Sequence, residues 1–297
     1  MAAAALLANS CAEETPTARR MDPPSETSPS HTVSPFNDEA AINDLLRSVG
    51  LEIDRSVSLP GSDSVAFIIT VPGESAIESW TSARNLVVET GRYPVIVGGS
   101  VDYGGDITSE FEQTLESAEY MVQDGLTAES VLAAATAVDA DRWFDSRSDY
   151  LELGSADLAA STPLPDYDYP KDQFITGTDI LSGKPRHDIE IALLPTAHGW
   201  EAPAYLMWGG WNDVPPPDEL VAIFKRWSTT FGADVVSMTG DVVEMSVASP
   251  PTEDATAIAL AREHFLLAPD NVWQGTGDLA TLAAAVLDAP VWYFWWD

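Results

Sequence analysis

Positive charge is what this sequence lacks most. Its 297 residues include 14 Lys and Arg against 47 Asp and Glu, a formal net charge of -33. Lysine stands only at Lys171, Lys184 and Lys225. Nucleic-acid backbones and anionic lipid surfaces are held by clustered Lys and Arg, so the composition argues against nucleic acid as a partner and against an anionic membrane surface. Two readings of the acidity remain: a highly soluble surface, or a field that draws in a basic protein partner. Cysteine is nearly missing as well. Cys11 is the only one, which excludes an intramolecular disulfide and any cysteine-built metal site. No apolar run approaches the roughly 18 residues that a membrane span needs. The chain also lacks G-x-S-x-G, H-E-x-x-H and EF-hand patterns, so no catalytic or metal motif announces a reaction.

What is there begins with a tail. Up to about Ser34 the chain is rich in Ser, Thr, Pro and Glu and has no apolar period. Such a segment cannot bury enough apolar surface to offset the entropy of ordering, so residues 1–36 are expected to be disordered. The short run "AAAALLANSC" ends in Cys11 and is followed by this tether, which makes Cys11 a lipidation candidate. Against that, a charged n-region is missing, the apolar run is short, and Ala8 stands where a lipobox has Leu. The expected location is therefore cytoplasmic, with translation from Met21 one option. The alternative is a lipid anchor at the cell envelope, if the true start lies upstream of Met1.

The ordered part divides into an N-terminal α/β region (37–153), a Pro- and Asp-rich linker (154–186) and a C-terminal α+β domain (187–297). "VAFIITV" (65–71) reads as a buried strand. A helix follows it, with Ser75 and Glu78 as a capping box and Gly91 as its stop. "YPVIV" (93–97) completes a β-α-β unit with parallel strands. Ser109 opens a helix to about Met121, and another runs from about Ala128 to Leu151 with a break near Asp139.

In the C-terminal part, "DIEIALLP" (188–195) and "AYLMW" (204–208) read as strands. Leu220, Ile223, Phe224, Trp227 and Phe231 form the apolar stripe of a helix that Pro and acids open. "ADVVSMTGDVVEMSV" reads as a hairpin, with Val243, Met245 and Val247 on one face and Glu244 and Ser246 on the other. Two more helices lead to a terminal strand, "APVWYFWWD". From Ala204 onward the order is β-α-β-β-α-(α)-β. The fold class expected is therefore mixed α+β, with a C-terminal ferredoxin-like β-α-β-β-α-β antiparallel sheet and an extra helix, preceded by a smaller α/β region. Both faces of the terminal strand are apolar, so it is expected to be central and covered on both sides.

The stretches "AYLMWGGWNDVPPPDEL", "AREHFLLAPDNVWQG" and "VWYFWWD" together resemble the bacterial domain of unknown function 4253 family. The resemblance covers Ala204 to Asp297 and extends more weakly to "TGRYPVIVG" (90–98). It implies a compact α+β domain. It implies no activity, so no catalytic residue is carried over, and no cofactor is expected.

Three places carry candidate chemistry. "WGGWND" sets Trp208, Trp211, Asn212 and Asp213 in a loop before a helix, where polar groups sit beside two indoles; the plain reading is a tight turn. "HGWE" puts His198 and Glu201 three apart, the residue types of an acid–base pair, but in a loop, where that spacing does not bring them face to face. No metal is expected there, since a third ligand would have to come from elsewhere. "VGGSVDYGGD" (97–106) follows a strand but lacks both phosphate-loop templates, and reads as a flexible loop. His264 lies beside an apolar stripe and reads as a boundary histidine. The function expected is that of a non-enzymatic acidic interaction protein, immunity- or inhibitor-like. The alternatives are a hydrolase built on His198, Glu201 and Asp213, and a sugar-binding module using exposed Trp faces.

Overall fold

The structure is a computed structural model that describes residues 38–103, 106–153 and 159–297. The expected tail, Cys11 and the first residues of the expected linker lie outside the described residues.

The chain opens with α1 (Glu39–Arg47), N-capped by Asp38, whose carboxylate accepts from the Ala40 and Ala41 amides. β1 (Arg55–Ser58) and β2 (Val65–Val71) follow, then α2 (Ala76–Arg84) and the short α3 (Val87–Thr90). Ser75 does not cap α2 with its side chain; its hydroxyl donates to the Pro72 carbonyl inside a 3-10 turn, so the expected capping box is not formed. Gly91 closes α3 in the left-handed region, at φ 63. Next come β3 (Tyr93–Ile96) and a small hairpin of β4 (Ser100–Tyr103) and β5 (Asp106–Ser109), where a flexible loop was expected. The Ser109 hydroxyl accepts from Glu112 N and so caps α4 (Glu110–Gln123). The long helix expected to 151 is broken into α5 (Ala128–Ala135), α6 (Ala140–Asp145) and α7 (Tyr150–Leu153); Asp139 caps α6.

A two-residue hairpin, β6 (Thr178–Asp179) and β7 (Lys184–Pro185), leads into β8 (Ile189–Leu194). Residues 204–208 are not a strand. Pro203 sits in the first turn of α8 (Ala202–Leu206), which Met207 ends at φ 48. Pro at that position is preset for a helix, and this local signal outweighs the β-like pair Tyr205–Leu206. Then come α9 (Pro217–Phe231), β9 (Ala233–Met238), β10 (Val242–Val247), α10 (Asp254–Leu267), a π-helical turn (Asn271–Thr276), α11 (Leu279–Val286) and β11 (Val291–Trp295).

Strands from both ends of the chain build one seven-stranded sheet in the order β1-β2-β8-β3-β9-β10-β11. β8 is antiparallel to both β2 and β3, so β2 and β3 are parallel, as expected, but with β8 between them. β3 is parallel to β9, so β8 and β9 run in opposite senses. A ferredoxin-like sheet needs the helix-connected strands of its split unit to be parallel. The split β-α-β here is β2-β3 around β8, and the C-terminal strands β9-β10-β11 form a meander. The expected ferredoxin-like order is thus corrected, while the mixed α+β class stands.

β11 is an edge strand, not a central one. Trp292, Phe294 and Trp296 on one side are buried, whereas Val291, Tyr293 and Trp295 are half-buried. α9 and α10 cover the buried side: Trp227 stacks on Phe294 at 5.3 Å, and His264 lies 4.8 Å from Trp292. The free edge is closed by one side chain. Asn271 donates to the Tyr293 carbonyl at 2.7 Å and accepts from Trp295 N at 3.1 Å, as a neighbouring strand would.

The other side of the sheet is covered by two things. From α2, Arg84 reaches Asp234 at 2.7 Å. The second is the described part of the linker, which lies as a strap across β10 and α11. Glu244 accepts from Ile175 N and Thr176 N, and Lys171 donates to the Ala284 and Leu287 carbonyls.

Candidate functional site

The WGGWND loop is built by local turn chemistry. Met207 ends α8, and the Trp208 amide donates back to the Pro203 carbonyl at 3.0 Å. The chain then doubles on itself, with Gly210 N donating to the Val214 and Pro215 carbonyls. Gly209 has φ 121, and a Cβ there would lie 2.4 Å from the Pro215 oxygen, so only glycine fits. Trp208 is buried and its indole donates to the Thr239 carbonyl at 2.6 Å, pinning the loop to the β9-β10 turn. Trp211 packs edge-on against Trp208 and is half-buried. Asn212 and Asp213 are exposed, and Asn212 donates to the Asp297 carbonyl at 3.1 Å. The loop is therefore a structural turn with a polar tip, and Trp208 belongs to the core.

His198 and Glu201 are near one another but are not an acid–base pair. The Glu201 carboxylate takes its hydrogen bond from the Thr196 hydroxyl, and the same hydroxyl accepts from His198 N. The exposed His198 ring instead stacks on Trp200 at 5.0 Å, and the Lys225 ammonium sits 4.7 Å from the Trp200 ring. Nearby, burial first and then Glu201 and Glu129 push the Tyr205 phenol up to about 12. Among the described residues no group of three or more His, Cys, Asp or Glu is arranged to hold a metal ion.

The Gly-rich stretch 97–106 meets carboxylates of the chain itself. Glu110 accepts from Gly99 N at 2.9 Å and is paired with Arg186 at 2.8 Å. The buried Glu190 is paired with Arg55 at 2.6 Å and accepts from the Ser109 hydroxyl. One amide of this stretch, Gly99 N, is thus engaged by an acid of the chain itself.

Two groups lie deeper than the sequence suggests: Glu244, expected on an open polar face, and His264, expected at the boundary of the core, are both buried. The first is Glu244, 1% exposed in the middle of β10. Burial raises its pKa to about 7 against the lowering pull of the Ile175 amide, the Ser237 hydroxyl and the Thr176 amide. Alternation had put Glu244 on the polar face of the hairpin; that face is polar but covered by the strap. The second is His264, 1% exposed among Trp227, Trp292 and Phe294, with Nε2 lacking a hydrogen-bond partner. Burial pushes its pKa down to about 3.

Acids outnumber cations 47 to 14, and most of the described cations are already engaged by groups of the chain itself. Arg47, Arg55, Arg84, Arg142, Arg147, Arg186 and Arg226 each hold a carboxylate. Lys171 is spent on helix carbonyls, and the buried Arg92 donates to the Val65 carbonyl. On α4, by contrast, Glu112, Glu116 and Glu119 are exposed at i, i+4 and i+7, and among the described residues only Glu112 of the three has an ion-pair partner, Arg55 at 3.7 Å. Asp124 and Glu129 continue the acidic run into α5, beside the exposed Leu126.

These features define a mixed α+β domain with an acidic exterior and aromatic core. Residues 190–297 match the family described as a domain of unknown function (DUF4253). The match begins within β8, ahead of Ala204, and leaves residues 90–98 outside it. No curated protein and no solved structure matches the chain. Among the described residues no helix is long and apolar enough to cross a membrane.

Proposed function

We propose that this chain is a non-enzymatic binding protein whose acidic surface engages a basic protein, in the manner of an immunity or inhibitor protein. The observation that carries this reading is the row Glu112, Glu116 and Glu119 on α4. Like charges at i,i+4 weaken a helix by a few tenths of a kcal/mol. That cost is offset when a cationic partner neutralises the row. A net charge of -33 also accelerates encounter with cations, and salt screens the effect over about 8 Å at physiological strength.

The test is a pulldown with the folded chain at low and high salt, run beside a Glu116→Lys/Glu119→Lys variant. A basic protein should be retained by the parent at low salt and lost with either salt or charge reversal. Retention that ignores both would end the proposal.

A second reading, sugar binding, is favoured by one observation: Trp273 is 48% exposed, and Trp200, Trp211 and Trp295 are only half-buried. Quenching of indole fluorescence by saccharides, absent in Trp273→Ala, distinguishes it. The binding reading takes the chain as cytoplasmic, with lipid attachment at Cys11 as the alternative. Incorporation of labelled fatty acid separates these.

A further inference from the structure

We propose that the outer edge of β1, with the acidic row of α4 beside it, is the docking site for an extended basic segment of a partner protein, which adds to the sheet as a further strand. The inference rests on the basic-partner reading above and gives it a place. The two edges of the sheet are finished differently. β11 is closed by the Asn271 side chain, which bonds one carbonyl and one amide of the strand. At the opposite edge β1 pairs with β2 alone, and among the described residues nothing bonds its outer side. In an antiparallel pair every second residue turns its N–H and C=O away from the partner strand. Half of the 4 residues of β1 therefore present both groups outward. Such groups are what recruits an added strand.

Two contacts lay α4 along this edge. At its start, Glu112 lies 3.7 Å from Arg55, the first residue of β1. Just past its end, Ala128 N donates to the Gly61 carbonyl at 3.2 Å, in the turn that leaves β1. Gly61 has φ 58, and a Cβ there would lie 2.6 Å from the Leu126 oxygen, so the turn and the end of the helix are in close contact. The lengths agree, since Arg55 to Gly61 spans about 20 Å when extended and Glu112 to Gln123 rises about 17 Å as a helix. Glu116 and Glu119 share the helix stripe of Glu112, so the exposed row faces the β1 side.

This arrangement selects its occupant. Residues on one face of a strand recur about every 6.6 Å, and the acidic row climbs by about 6 Å and then about 4.5 Å. A segment with a cation at every second position thus sets one near each acid. Glu112 is already shared with Arg55, so Glu116 and Glu119 carry most of the attraction. On the other face of β1, Ser56 and Ser58 are exposed, which suits polar residues between the cations. A second copy of this chain is the poorer occupant, because a net charge of -33 repels itself. The strand is short, so the contact depends on charge and weakens with salt.

The test uses the full chain at low salt and two labelled peptides of one composition, Lys alternating with Thr in the first and Lys in a single block in the second. Fluorescence anisotropy should show the alternating peptide binding on the order of ten-fold more tightly. Hydrogen exchange should show it protecting amides of β1 and leaving those of β11 unchanged. Methylating alternate peptide amides gives two further forms. One should bind and the other should not, because only one set of N–H groups faces β1. Glu116→Gln/Glu119→Gln should weaken binding on the order of ten-fold while keeping the melting temperature of the parent. Equal binding by the alternating and blocked peptides, equal binding by the two methylated forms, or binding without protection of β1 would overturn edge docking. Each would leave the acidic-surface reading to be judged by its own pulldown. Failure of every peptide to bind overturns it as well. So does protection of β1 that rises with chain concentration in the absence of peptide, which would put a second copy on the edge.

Discussion

The two sides of the terminal strand carry similar side chains and live in different physical worlds. Trp292, Phe294 and Trp296 sit in a dry aromatic layer, with Trp227 stacked on Phe294 and Trp296 bonded to the Leu267 carbonyl at 3.0 Å. Tyr293 and Trp295, one residue along, share the face of Glu244, on which the strap amides lie, and the Trp295 indole is bonded to Asp241 at 3.2 Å near the surface. A strand's period of two sends neighbours to opposite faces, but what covers each face decides what a ring is worth. One face is held by area and packing. The other is covered by a segment held through hydrogen bonds to Glu244 and from Lys171 as well as by the packing of Leu164 and Phe174.

The largest expected effect tests that contrast. Trp292→Ala should cost about 3–5 kcal/mol, the range for emptying a buried aromatic site, and leave little of a domain's stability. Trp295→Ala should cost about 1 kcal/mol, because a half-exposed ring loses less transfer energy and leaves no closed cavity. Urea unfolding of the two variants gives both numbers. Equal losses would break the distinction between the faces.

Acid sharpens it. His264 is buried neutral with its pKa near 3, against 6.5 when solvated. The unfolded chain therefore binds the extra proton between those values. Stability from this group is full above pH 6.5 and is lost as pH falls toward 3. The slope should approach about 1.4 kcal/mol per pH unit within the window. His264→Phe should flatten that slope, since it keeps the ring contacts and removes both the titration and the orphaned Nε2. An unchanged slope would show that the carboxylates alone govern acid unfolding.

Much of this architecture was legible from local signals. The β10 alternation, the Ser109 cap, the break at Asp139 and the Gly91 stop all appear where the residues put them. They were readable because each rests on neighbours within four residues. Strand order was not readable in this way. That β8 inserts between β2 and β3 depends on pairs from Ile96–Ile191 to Phe67–Leu193, about a hundred positions apart, and nothing in "DIEIALLP" names its partners. The same limit hid the site. Glu244 looks like an outward-facing acid until the strap, some 70 positions earlier, is laid over it. "AYLMW" failed for the opposite reason: Pro203 was a local helix signal, and the apolar run was given more weight.

The edge of the strand offers a smaller test. Asn271 closes β11 with two hydrogen bonds, each worth about 1 kcal/mol net, so Asn271→Ala should cost about 2 kcal/mol. It should also leave the Tyr293 carbonyl and Trp295 amide free to pair with another strand. Light scattering at rising concentration should show self-association in the variant and none in the parent. If the variant stays monomeric, the π-helical turn itself covers the edge.

The smallest effect is expected where the sequence looked most like a site. Asn212 holds φ 45, a left-handed conformation that costs most residues about 1 kcal/mol and Asn less. Its side chain donates to the Asp297 carbonyl at 3.1 Å in an exposed place, where water competes for both groups. Asn212→Gly loses that bond and gains a freely left-handed backbone, but it also adds entropy to the unfolded chain. The three terms nearly cancel, so the change should fall within about 0.5 kcal/mol. Asn212→Val makes the converse measurement. A β-branched residue in that conformation is strained and has no polar group to offer, so a loss of about 1–2 kcal/mol is expected. If Gly and Val behave alike, backbone conformation is not what selects Asn212. The amide itself would then matter, and the WGGWND tip would become the first place to soak a ligand.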